Sequence, residues 1–298
     1  VLSFNGEIYN HAEIKEELNA IKNTVWKTDH SDTEVILKAY EEWGIECIHK
    51  FRGMFGIAIW DAIKGRLFLV RDRIGIKPVY YSCHNGRVTF ASEIKALLED
   101  PKQKREVNED AFFHYLSFLT TPAPMTLFQG IQKLEPGTYL SIDIESGRLE
   151  KTKYYEIWDN VTPVNKLDEK EISQQILQKL REAVNLRKAG DVPVGVFLSG
   201  GIDSSTNAAL FSESENGEGK QVKTFSIGYE GEFDSYKNEL DFAKQAAKHV
   251  GAQYHEKLLT QEDLLNFLPD MVKLQDEPIA DPGFLAVSQV VKFSKDPS

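Results

Sequence analysis

The chain has 298 residues, 41% hydrophobic and 27% charged, which suits one large folded domain or, more naturally, two. A formal net charge of −11, with no offsetting run of Lys or Arg, argues against a nucleic-acid-binding surface. Two cysteines, Cys47 and Cys83, provide neither a disulfide framework nor a C-x-x-C pair, and no apolar run approaches the ~18 residues of a membrane span; the expectation is a reducing, cytoplasmic setting without membrane contact.

Val1–Phe4 reads as the middle of a strand, and Lys295–Ser298 adds no closing element, so the chain is expected to be a piece of a longer protein. Asn5-Gly6 has the composition of a tight hairpin turn. The stretch from Ile8 to Ile21 places Ile14, Leu18 and Ile21 on one helical face, with Asn10 as candidate cap. Ser31-Asp32-Thr33-Glu34 has capping-box spacing ahead of a helix that Gly44 ends, and Asp32 fits a place in its cap. Strands are expected at Phe55–Asp61, Arg66–Asp72, Val79–Ser82 and Val88–Ala91, joined by short turns into an antiparallel sheet. Capped helices follow at Ser92–Leu98 and Asn108–Leu119, then a hairpin of Gly137–Ser141 with Leu149–Tyr155.

Asp159–Asp168, polar and containing Pro163, is the linker candidate, dividing the chain into domains 1–158 and 166–298. Beyond it the rhythm changes to alternating helix and strand: helix Ile172–Leu186, strand Val192–Leu198, helix Ser204–Phe211, strand Val222–Gly228, helix Glu239–Val250 and strand Gln253–Leu258. Helices near Leu264–Leu274 and Phe284–Phe293 complete it, and Ser214–Lys220 reads as a polar loop. This alternation predicts a doubly wound parallel sheet, giving α+β followed by α/β overall.

The most informative stretch joins the strand ending at Leu198 to the following helix through Ser199, Gly200, Gly201, Ile202, Asp203, Ser204 and Ser205. Glycines admit phosphate oxygens to the main chain, and a helix N-terminus adds N–H donors and partial positive charge. The loop lacks the lysine of a G-x-x-x-x-G-K-[ST] sequence, so it is not of the kinase or GTPase type, and Asp203 is instead suited to Mg²⁺. The plain alternative is a Gly-rich connection with Ser and Asp as helix caps.

The loop resembles that of the N-type ATP pyrophosphatases. In the first half, Phe4–Asn10, Ser31–Val35, Phe51–Asp61 and Arg71–Tyr80 with Ser92–Ala96 resemble, in that order, the class II glutamine amidotransferase domain, an N-terminal-nucleophile fold of stacked antiparallel sheets. Together the halves resemble the glutamine-hydrolysing asparagine synthetase family over essentially the whole chain. By that resemblance Asn5 and the Gly6 N–H form the glutaminase oxyanion hole, and Glu7 and Asp32 join them around glutamine, Asp32 at the α-ammonium. Ser199, Gly200, Gly201, Asp203 and Ser204 would hold ATP pyrophosphate and Mg²⁺, with Asp203 as the metal ligand. Leu198 and Ile227 would contact adenine; core strand packing is compatible with the same positions. Asp276–Asp281 matches a segment near the acyl-acceptor site and equally reads as an acidic turn around Pro278 and Pro282.

The resemblance implies hydrolysis of glutamine to ammonia, and MgATP-dependent activation of aspartate as β-aspartyl-AMP. Ammonia then displaces AMP to give asparagine. It is compatible with a homodimer. The family's N-terminal nucleophilic Cys, its upstream Arg and its later S-G-x-G-x-D-E segment do not occur in the 298 residues, so the second domain is incomplete by the family pattern and this stretch is expected not to hydrolyse glutamine. Alternatives are a related acyl-adenylating amidotransferase acting on another carboxylate and a nucleotide-binding, non-catalytic fragment. A tRNA-modifying pyrophosphatase is disfavoured by the acidic charge. Arg71, Asp72 and Lys77 belong to the resemblance with no physical role beyond a sheet edge or domain interface.

Overall fold

The computed structural model describes residues 1–84, 86–163, 167–188, 194–217, 220–231, 239–279 and 283–295. The chain forms two units, Val1–Pro163 and Val164–Ser298.

In the first unit, strand β1 (Leu2–Ile8) leads to helices α1 (His11–Ile21) and α2 (Asp32–Trp43), then β2 (Gly53–Asp61) and β3 (Arg66–Arg71). Next come β4 (Tyr80–His84), β5 (Arg87–Ala91), α3 (Ile94–Leu97), α4 (Glu109–Phe118), β6 (Ile131–Lys133), β7 (Thr138–Asp143) and β8 (Leu149–Lys153). Two antiparallel sheets result, ordered β1-β2-β3-β7-β8 and β5-β4-β6. Alternation along the strands sends one set of apolar residues each way. Ile8, Phe55, Ile57, Ile59 and Phe68 pack with Ile14, Leu18, Val35 and Ile36 of α1 and α2. Ala58, Leu69, Leu140 and Ile142 meet Val79, Tyr81 and Leu134, joining the two sheets. Ile94, Leu97 and Ile131 make a third cluster, so the layers run helix, sheet, sheet, helix.

Several local expectations give way to tertiary partners. Asn5-Gly6 is not a turn: β1 runs through it, with Asn5 opposite Gly56 and Gly6 opposite Phe55. A Cβ on Gly6 would lie 2.0 Å from the Met54 carbonyl oxygen and 2.7 Å from Phe55 Cα, so the glycine serves a close strand approach. Asn10 precedes α1 without capping it; its side chain donates to the Lys50 carbonyl (3.0 Å) and accepts from Arg52 N–H (2.8 Å). Ser31 accepts from Glu34 N–H, but the Glu34 carboxylate turns to Lys27 and Thr28 N–H, leaving the capping box half made. The helix expected from Ser92 starts at Ile94, and its N-cap position, Glu93, makes no side-chain cap. Strand β6 carried no periodic signal in only three residues.

In the second unit, α5 (Glu169–Leu186) opens with a complete Asp168/Glu171 capping box. It is followed by β9 (Gly195–Phe197), α6 (Ile202–Gly217), β10 (Lys223–Tyr229), α7 (Leu240–Val250), β11 (Gln253–Leu259), α8 (Gln261–Leu274) and α9 (Gly283–Lys295). The parallel sheet is ordered β11-β10-β9, giving the expected α+β then α/β succession. Leu198, Ala208, Ala243 and Ala247 pack α6 and α7 on one face. On the other, Phe225 meets His255 and, edge to face at 5.9 Å, Phe293 of α9. Helix α6 passes beyond Phe211 to Gly217, so much of the expected Ser214–Lys220 loop is helical. Residues 192 and 193 of the expected strand lie outside the described residues.

Candidate active sites

Strand β1 is the edge of its sheet. Tyr9 N–H donates to Arg52 O and Trp60 N–H to Val1 O, which fixes the alternation of the antiparallel ladder. Residues 1, 3, 5, 7 and 9 bond to β2, while the N–H groups of Phe4, Gly6 and Ile8 face the open edge. Phe55, opposite Gly6, spends its own N–H on the Asp72 carboxylate at 3.1 Å, as this alternation requires. Ile8 N–H donates to Asp32 Oδ2 (3.1 Å), bringing Asp32 to the same edge two residues from Gly6. Asp32 thus begins α2 and also ties that helix to β1.

Asn5 points to the other face of the strand, where its Nδ2 donates to Ser92 Oγ at 3.0 Å. Both line a cavity of about 120 Å³ with Gly56, Val79 and Phe90. Asp32 is thus brought to the strand that carries Asn5, Gly6 and Glu7. Ser92 is the residue sequence reasoning missed, because a Ser before a helix carries a capping signal whichever way its hydroxyl turns.

Arg71 and Asp72 also gain a physical account. The buried Asp72 carboxylate accepts from Phe55, Ile74, Ile76 and Lys77 N–H at 2.8–3.3 Å. Arg71 donates to the carbonyls of Gly75, Lys77 and Leu134 at 2.6–2.8 Å. These bonds hold the 73–78 loop so that Val79 packs beside Gly56, the register partner of Asn5; a Cβ on Gly56 would lie 2.8 Å from Val79 Cγ2. Lys77 contributes through its main chain in these bonds.

Neither thiol is an activated nucleophile. Burial, reinforced by Glu46, pushes Cys47 up to about 12, and partial desolvation raises the exposed Cys83 thiol as well. A thiol held protonated at neutral pH is a weak nucleophile.

In the second unit the Ser199–Ser205 loop lies at the carboxyl end of β9, where open α/β sheets bind ligands. Leu198 is buried, its N–H donating to Phe225 O and its carbonyl accepting from Ser226 Oγ (2.6 Å). Ile227 follows Ser226 on β10, half-buried and level with the start of the loop. The loop is shaped by its serines: Ser204 Oγ accepts from Ser199 N–H (3.2 Å), lies 2.9 Å from Ser199 Oγ and donates to Gly201 O. Gly201 N–H in turn donates to Ser199 Oγ (3.3 Å). Gly200 has φ +86°, and a Cβ there would lie 2.6 Å from Ala243 N and 2.7 Å from Phe242 Cβ. Only glycine lets the loop sit this close to α7.

Asp203 is exposed in the first turn of α6, among N–H groups that have no intrahelical acceptor. No cluster of three or more His, Cys, Asp or Glu forms a metal cage among the described residues. One carboxylate together with phosphate oxygens and water is the donor set Mg²⁺ accepts, so Asp203 fits that ion. Asp276 and Glu277 are half-buried after α8, whereas Ala280, Asp281 and Pro282 lie outside the described residues. Among those described, no helix is long and apolar enough to cross a membrane.

Residues 1–155 match the glutamine amidotransferase domain model, and residues 175–292 match asparagine synthase. Asparagine synthetase (glutamine-hydrolyzing) 1 of Bacillus subtilis is 38% identical over 292 residues, covering 98% of this chain and 44% of that protein. A putative asparagine synthetase 2 of Methanocaldococcus jannaschii is 34% identical over 283 residues, covering 94% and 52%. An amidase, chyE, of Penicillium rubens is 30% identical over 304 residues, covering 96% and 43%. The chain spans about half the length of the curated relatives it matches. With both models matched in the order of its two units, the chain belongs to the glutamine-hydrolysing asparagine synthetase family.

Proposed function

We propose that this chain carries glutaminase and ATP-pyrophosphatase elements of a ligase that makes asparagine from aspartate, glutamine and ATP. The observation that carries the reading is the lysine-free Ser-Gly-Gly-Ile-Asp-Ser loop between β9 and α6, its glycine pressed against α7, at a helix N-terminus of the kind that suits an anion.

At β1, the Asn5 carboxamide and the Gly6 N–H donate to the oxyanion formed when the glutamine amide is attacked. One such donor is worth about 10²–10³ in rate. Asp32 pairs with the α-ammonium of glutamine, and Glu7 completes the binding edge. In the second unit, Ser199, Gly200, Gly201 and Ser204 hold the β- and γ-phosphates, while Leu198 and Ile227 flank adenine. Asp203 would hold Mg²⁺, whose charge stabilises the phosphate oxygens. The aspartate side-chain carboxylate attacks the α-phosphorus of ATP, and pyrophosphate leaves. Ammonia then displaces AMP.

A second reading, adenylation of a different carboxylate before amide formation, is favoured by the similarity to the amidase of Penicillium rubens. Pyrophosphate release from ATP, followed with ammonium and a panel of carboxylic acids, separates the two. Aspartate dependence supports asparagine synthesis, and dependence on another acid transfers the reading to that acid. Absence of nucleotide binding in equilibrium titration refutes both.

A further inference from the structure

Ser92 stands at the corner between β5 and α3, two residues before the helix begins. It turns to the facing sheet and accepts from Asn5 Nδ2 at 3.0 Å, across 87 residues of sequence. The Asn5 main chain is already fixed by its pairing with Gly56. The carboxamide is not: its terminal torsion is broad and roughly two-fold, so oxygen and nitrogen can exchange places at little intrinsic cost. A donor for an oxyanion must hold within about 0.5 Å and 10–20° of its working direction.

We infer that Ser92 is a positioning residue for the glutaminase half-reaction: its hydroxyl holds the Asn5 carboxamide so that one N–H is spent on Ser92 and the other is kept for the oxyanion. The inference rests on the assignment of Asn5 as an oxyanion donor. Among the described residues, Ser92 is the side chain that bonds the Asn5 carboxamide, and both residues line the same cavity of about 120 Å³. The pair also links the two sheets at the point where Val79 packs on Gly56, so the donor is indexed to both layers.

The test is steady-state glutamine hydrolysis by the protein expressed from its complete reading frame, with Ser92→Ala, Ser92→Thr and Asn5→Ala variants. Losing one net hydrogen bond that orients a donor predicts a fall in kcat of roughly three- to tenfold for Ser92→Ala. KM for glutamine and the unfolding midpoint stay unchanged, and Ser92→Thr, which keeps the hydroxyl, restores kcat. Asn5→Ala falls by about 10²–10³. A damaged Asn5→Ala with an unimpaired Ser92→Ala overturns the role of Ser92 alone. Likewise, a fall in kcat that tracks a lower unfolding midpoint and is not restored by threonine assigns Ser92 to structure only. An unimpaired Asn5→Ala, or a wild type without turnover, overturns the oxyanion assignment and the inference with it.

Discussion

Replacing Gly6 with alanine tests whether the edge of β1 is as tightly built as its register implies. The new Cβ meets main chain, not a side chain that can swing away: Met54 O at 2.0 Å, Phe55 Cα at 2.7 Å and Met54 C at 2.9 Å. Overpacking of this kind costs about 1–3 kcal/mol. Holding a non-glycine residue at φ +154° adds strain of about 1–3 kcal/mol, for a total of ~4 kcal/mol. Gly44→Ala is the matched control, since its φ of +61° is also left-handed but nothing lies within 4 Å of the added Cβ. That variant should lose only the conformational part, about 1–2 kcal/mol. All four tryptophans, Trp26, Trp43, Trp60 and Trp158, lie in the first unit, so their fluorescence follows its melting separately from the second. At about 2–4 °C per kcal/mol for a unit of this size, Gly6→Ala lowers Tm by roughly 8–16 °C and Gly44→Ala by roughly 2–8 °C. Amide exchange at Asn5 and Glu7 also accelerates in Gly6→Ala, because these N–H groups bond to β2. Equal shifts for the two variants, or unchanged protection of β1, would refute the close-approach account.

Further tests follow from the buried polar groups and from the loop. Asp72→Asn presents an amide to four N–H donors and should lose about 2–4 kcal/mol in urea denaturation of the first unit; an unchanged midpoint would show that the 73–78 loop is not held by this carboxylate. Cys47 and Tyr81 are both pushed up by burial to about 12. The folded state therefore keeps protons that the unfolded chain releases, and stability is complete below the unfolded-state values and falls as pH rises above about 9, by up to ~1.4 kcal/mol per pH unit per group. Urea midpoints at pH 8, 9 and 10 check the sign, and a midpoint that rises with pH contradicts it. In the native chain a thiol reagent should reach Cys83 and spare buried Cys47 until unfolding. Finally, Gly200→Ala forces the loop away from Phe242 and Ala243 and should weaken ATP binding at least tenfold by calorimetry, with the β10–β11 amides still protected; full affinity would separate the loop from the nucleotide.

What could be read from the chain alone were the features that depend on near neighbours. Helical and strand periodicity placed the antiparallel half before the alternating half, and the Leu198–Ser205 string marked a strand, a glycine turn and a helix start. Asn108 caps its helix as read, accepting from Ala111 N–H at 3.2 Å, because that bond lies within one turn. Tertiary structure decided every case where a short polar side chain had a choice of partner. Ser92 and Asn10 carry the local signature of caps, but each finds a partner more than 35 residues away, Asn5 for Ser92 and the Lys50–Arg52 segment for Asn10. Asn5-Gly6 has the composition of a turn, yet pairing with Gly56 and Phe55 draws it into a strand. Arg71 and Asp72 were legible only as a motif until the fold supplied the main-chain groups they hold. Hydrophobic spacing is set by the periodicity of one element, whereas a hydroxyl or carboxamide goes to whichever donor or acceptor the packed layers bring within about 3 Å. That is why the elements and the glycine-rich loop could be read in one dimension, and the orientation of Asn5 could not.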